Sequence, residues 1–181
     1  MSSKTSENER DLVGFLSSLG AQAANEREEE KQVDVIQVIG LELSGEHFIV
    51  DILNVREIVR LEELEITRVP HAHYYVLGVI NLRGKVVPVV DLGLRMHMKS
   101  HQRDARARLV VVEIDEKVVG FTVDAVSEVL RLPRNEIEAS DGRATYAAGV
   151  AMVNDQIMTL LELSELFAET AMAIQQAGED Q

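Results

Sequence analysis

Gly78-Val79-Ile80-Asn81-Leu82-Arg83-Gly84-Lys85-Val86-Val87-Pro88-Val89-Val90-Asp91-Leu92 is two β-branched, apolar runs joined at an Arg-Gly corner. The pattern predicts a β-hairpin, with Gly84 supplying the bend. Pro88 cannot donate a ladder hydrogen bond, so it is expected at an edge or bulge. Burial accounts for the valines and turn geometry for Gly84. Neither asks for an arginine at the corner, and Arg83 is therefore the first candidate functional residue.

Working outward, a shift of 71 positions lays residues 38–92 on 109–163 without a gap, with 11 of 55 pairs identical. Average residue usage would give roughly three or four identities. The matches cluster: Val55, Glu57, Arg60 and Leu61 fall on Val126, Glu128, Arg131 and Leu132, and Gly78-Val79 on Gly149-Val150. The chain therefore carries an internal duplication. Each unit reads as all-β. Val35 to Leu43 and Phe48 to Leu53 predict strands around a turn at Ser44-Gly45-Glu46. Leu109 to Ile114 and Val118 to Val123 repeat that hairpin around Asp115-Glu116-Lys117. Short strands at such spacing predict a small barrel or sandwich. A unit of about 55 residues buries too little surface to stand alone, so the two are expected to share apolar surface and form a groove between them. Whether strands cross from one unit to the other is left open by the offset.

The flanks have a different character. Residues 1–34 read as a flexible extension with scope for one short amphipathic helix, carried by Leu12, Phe15, Leu16 and Leu19 before Gly20, then a charged connector. Residues 35–176 form the main domain and 177–181 a polar tail. Near its end Leu163, Leu166, Phe167, Ala171 and Ile174 make one helical apolar face after Ser164, a candidate N-cap. That helix is expected to cover the open end of a barrel.

Composition removes whole classes of function. A net charge of −13 repels a phosphate backbone and an anionic membrane leaflet alike. The chain has no cysteine, which excludes disulfides and thiolate metal sites. No signal-peptide core opens the sequence, and the longest apolar run, Ala147 to Val153, is too short to span a bilayer. A cytoplasmic protein that inserts in no membrane and binds no nucleic acid is expected. Chemistry is sparse. His71-x-His73 and His97-x-x-x-His101 have metal-like spacing, but each lacks a third ligand, and surface histidines are the plainer account. No phosphate-binding or nucleophile-elbow pattern occurs. Arg103-Asp104-Ala105-Arg106-Ala107-Arg108 reads as an exposed, salt-bridged connector. No enzyme activity and no cofactor are expected.

With the duplication and the Arg-cornered hairpin in view, the chain resembles the CheW family of bacterial chemotaxis coupling proteins from about Val35 to Phe167. The carriers are Val50-Asp51-Ile52-Leu53-Asn54-Val55-Arg56-Glu57-Ile58, Gly78-Val79-Ile80-Asn81-Leu82-Arg83-Gly84 and Val87-Pro88-Val89-Val90-Asp91-Leu92. Val119-Gly120-Phe121-Thr122-Val123-Asp124-Ala125-Val126 and Ile157-Met158-Thr159-Leu160-Leu161 also fit. The resemblance implies two SH3-like five-stranded β-barrels packed together. It also implies a non-enzymatic adaptor between the cytoplasmic tip of a chemoreceptor and the regulatory domain of a CheA-type histidine kinase, recruited to membrane-associated receptor arrays. A CheW-like scaffold in a non-chemotaxis sensory array is the alternative.

The same resemblance ties Val55, Glu57, Gly78 and Arg83 to partner binding, with Asn81, Leu82 and Gly84 shaping the loop of Arg83. Structural roles stand beside these. Glu57 could pair with Arg60 on a short helical turn, a pairing that Glu128 and Arg131 would repeat. Gly78 recurs as Gly149 and suits a backbone requirement; Val55 recurs as Val126 and suits a core position. Arg83 does not recur, because the second copy has Asn154-Asp155 where the first has Arg83-Gly84.

Overall fold

Apolar runs such as Leu109-Val110-Val111-Val112 are unbroken by polar residues, as expected of strands buried on both faces. The computed structural model, which describes residues 34–98, 104–142 and 144–168, places this run in the interior. The first repeat forms β1 (Val35–Leu43), β2 (Glu46–Asp51), β3 (Val55–Arg60), β4 (Val76–Leu82), β5 (Lys85–Asp91) and a short helix α1 (Leu92–Arg95). The second forms β6 (Arg108–Ile114), β7 (Lys117–Val123), β8 (Ala125–Pro133), β9 (Ile137–Ala139), β10 (Ala147–Val153) and β11 (Gln156–Leu161). Residues 163–168 follow as helix α2. The hairpins turn at Ser44-Gly45, Arg83-Gly84, Asp115-Glu116 and Asn154-Asp155, with positive φ at both residues in every case. That is the requirement of the type I′ turn, whose twist matches the flanking strands.

The two repeats exchange hairpins. One sheet runs β8-β1-β2-β11-β10-β9 and the other β3-β6-β7-β5-β4. Each barrel therefore takes its first hairpin from one repeat and its remaining strands from the other. The exchange is symmetric to the residue: Val55 pairs with Val112 as Val126 pairs with Leu41. The parallel ladders agree as well, with Val89 opposite Gly120 and Leu160 opposite Ile49. The three-residue β9 matches a single bridge between Thr67 and Val79, so five full strands per barrel is the common plan.

Burial follows from that exchange. Ile36, Val38, Ile49, Leu132, Ala151 and Met158 fill one barrel, and Ile80, Val87, Val89, Leu109 and Val111 the other. The opposite faces of the exchanged hairpins, including Leu41, Phe48, Val50, Val110, Val112, Phe121 and Val123, form a third core between the barrels. The shared apolar surface expected from the size of each unit is this layer. Helix α2 packs on it through Leu163, Leu166 and Phe167, with the Phe167 ring stacked 5.6 Å from that of Phe121. It thus covers the joint between barrels and not a barrel's open end. Ser164 lies inside that helix, and Glu162 occupies the preceding position and accepts from the Leu166 N–H. Ala171, Ile174, the N-terminal helix and the tail lie outside the described residues.

Pro88 sits in an interior strand, opposite Val79. The ladder from β5 to β7 covers only Val89 to Asp91, so Pro88 stands where its strand is paired on one side.

Candidate functional site

The hairpin β4–β5 ends at a corner where backbone and side chains are mutually fixed. Arg83 and Gly84 have φ of +53° and +82°. The Asn81 side-chain oxygen accepts the Gly84 N–H at 2.9 Å, tying the turn to the strand before it. A Cβ on Gly84 would meet nothing within 4 Å, so glycine is there for φ alone. Leu82 packs against the barrel interior. Arg83 itself is solvent-facing, with its side chain 80% exposed.

Arg83 Nη2 donates to Glu57 Oε1 at 3.0 Å, and Glu57 is 30% exposed. These residues belong to β4–β5 and β3, the two ends of their sheet, so the ion pair marks where the barrel closes. Arg60 does not pair with Glu57. Residues 55–60 are a strand and not a helical turn, and an odd spacing puts the two side chains on opposite faces. Arg60 instead reaches Glu62 and Glu63 at 3.9 and 3.8 Å. An exposed pair of this kind contributes little. Glu57→Gln should change stability by no more than about 0.5 kcal/mol in a thermal melt, whereas a loss above about 1 kcal/mol would make the pair structural.

The remaining candidates lie inside the framework. Val55 is half-buried against the core between the barrels, as is Val126. Gly78 has φ +147°, and a Cβ there would collide with the Thr67 carbonyl oxygen. The second copy repeats the approach, since a Cβ on Gly149 would lie 2.6 Å from the Glu138 carbonyl oxygen. Gly78 therefore allows one chain segment to cross another closely. The structure gathers Glu57, Asn81, Arg83 and Gly84 at one corner, while Val55 packs on the core between the barrels and Gly78 against the Thr67 segment. The Glu57–Arg83 pair had no local sequence signal, because it joins residues 26 positions apart through barrel closure.

His71 lies in a loop with φ +58°, and His97 follows α1 at φ +58°, so neither spacing falls on regular structure; His101 lies outside the described residues. No cluster of three metal-ligating side chains occurs among the described residues. In the connector, Arg106 pairs with Asp104 at 3.0 Å and Glu42 at 3.6 Å, as expected of an exposed, salt-bridged segment. Hydrogen bonds from the Arg106 backbone and then its side chain hold the Asp104 carboxyl below the usual carboxylate range. Among the described residues no helix is long and apolar enough to cross a membrane.

Duplicated SH3-like barrels sharing a central core, with an arginine at one hairpin corner only, define the class to which the molecule is assigned. A family model of the CheW-like domain matches residues 37–171. A probable chemotaxis protein CheW of Rhizobium etli is 39% identical over 140 residues, covering 74% of this chain and 88% of that protein. The chemotaxis protein CheW of Helicobacter pylori is 32% identical, covering 80% and 88%. The crystal structure of the scaffolding protein TtCheW from Thermoanaerobacter tengcongensis superposes with a TM-score of 0.69 at 31% identity, covering 73% of this chain and 92% of that one. The chain belongs to the CheW family.

Proposed function

We propose that this protein is a non-enzymatic adaptor that couples the cytoplasmic tips of chemoreceptors to a CheA-type histidine kinase. It would act in the cytoplasm, at receptor arrays. The observation that carries this reading is Arg83. It is exposed, holds a left-handed backbone that disfavours side chains, and stands where the second repeat makes the same turn with Asn154. The fold makes the turn twice and carries the arginine once.

A receptor tip is a helical hairpin, and carboxylates on such a helix can be met bidentately by a guanidinium fork. Glu57 then holds Arg83 in position until a partner carboxylate replaces it or shares it. The kinase contact is barrel against barrel, using apolar side chains left at the surface. Met152 and Ile157 are cross-strand partners and are 64% and 65% exposed, which suits such a surface. Immobilised full-length protein should retain both a receptor-tip fragment and the kinase regulatory domain, each alone. Retention of neither would remove the proposal, and retention of the kinase alone would favour a scaffold serving a different sensory array.

A further inference from the structure

We propose that the loop joining β3 to β4 is a separate binding site for a small ligand bearing oxyanion groups. A cavity of about 570 Å³ opens there, with Arg68, His71, His73 and Tyr74 among its lining residues. No aspartate or glutamate lines it, although the chain carries a net charge of −13. By contrast, a cavity of about 300 Å³ at the junction of the barrels is lined by four carboxylates, Asp51, Glu113, Asp115 and Glu162, with one guanidinium, Arg134. Among the described residues the side chains of Arg68 and His71 make no hydrogen bond or ion pair. His73 is held by stacking on Tyr75, with ring centres 5.3 Å apart and planes within 4°. The Tyr74 hydroxyl is engaged with His97 Nδ1 at 3.2 Å. The loop thus gathers a guanidinium fork and two imidazoles, all of them N–H donors, around one space.

The second repeat supplies an internal control. At the 71-residue offset, Arg68, His71 and His73 fall on Ala139, Gly142 and Ala144. The backbone is the same in kind, since Gly142 has φ +76° where His71 has φ +58°. The fold makes this left-handed step twice. One copy uses the residue that suits it, and the other carries an imidazole despite the strain that a Cβ meets there. At these three positions only the first copy carries donor-bearing side chains, although the second copy has Arg143 where the first has Ala72. The cavity borders the Val76 end of β4, and Arg83 follows the other end of that seven-residue strand, roughly 20 Å away. The site therefore stands whether or not Arg83 contacts a receptor.

Titration of the full chain with pyrophosphate and with citrate, at constant ionic strength and with chloride as control, tests this by calorimetry and backbone amide NMR. Saturable binding of at least one probe is expected, with the largest shifts within residues 66–77. The triple variant Arg68→Ala, His71→Gly, His73→Ala installs the residues of the second repeat. It should bind at least about tenfold more weakly, as when charge-assisted hydrogen bonds are removed. Its melting temperature should not fall, because glycine relieves the left-handed step. Arg68→Gln alone, expected to weaken binding in the same direction, keeps the test valid should the triple variant misfold. A response to pyrophosphate alone assigns the site to phosphate-bearing ligands, and one to citrate alone to polycarboxylates. Absence of a response to either probe up to about 10 mM, beyond the millimolar range of weak sites, overturns the proposal. So does unchanged affinity in the folded variants.

Discussion

Arg83→Asn should weaken binding to a receptor-tip fragment by roughly 30-fold, or about 2 kcal/mol, as for an interface hot spot, while leaving the fold intact. The replacement is the residue the second repeat uses at the same turn, Asn154. Two small terms oppose each other in the folded state. Losing the exposed pair with Glu57 costs at most about 1 kcal/mol. Asparagine recovers part of that, because it tolerates the left-handed conformation that arginine resists. Net stability should stay within about 0.5 kcal/mol of the wild type, the range of an ordinary surface substitution. A thermal melt and a binding isotherm on the same sample separate the outcomes. Lost stability with intact binding would mean that Arg83 serves the fold.

The largest effect on folding is expected from cutting the chain between repeats. A fragment of residues 35–98 holds β1 to β5, yet neither sheet is complete without strands from the other repeat. Its β1–β2 hairpin would lose β8 and β11, and β3 would be separated from β5 by the missing β6 and β7. The valines that fill the space between barrels would face water. A unit of about 60 residues has no reserve to offset this. The monomeric fragment should show no cooperative thermal unfolding by circular dichroism. Addition of a fragment spanning 104–168 should restore β structure. A cooperative melt from the 35–98 monomer alone would contradict the exchanged topology.

How much of this was legible in the sequence depends on the range of each interaction. The first hairpin of each repeat was readable, because turn chemistry and apolar periodicity are local. The shared core was readable too, from unit size. The exchange of hairpins was not. Strand identities and the 71-residue offset are the same whether β1 pairs with β8 or with its own repeat's β3, so no local pattern distinguishes the two. The partner of Glu57 is not legible for a related reason. Its i+3 neighbour Arg60 offered a local partner, and only barrel closure brings it to Arg83. Ser164 has the residue type of an N-cap, but the helix starts two residues earlier than that role requires, at Leu163, whose side chain reaches the core. Arg83 was legible as a functional candidate because duplication supplied a copy of the turn without it.

The most direct test of the coupling reading is kinase activity in a ternary mixture of this protein, a CheA-type kinase and a receptor fragment. Autophosphorylation should rise only when all three are present. Arg83→Asn should abolish most of that rise while still co-sedimenting with the kinase. Equal activity with the wild type, the variant and no added protein would contradict the account.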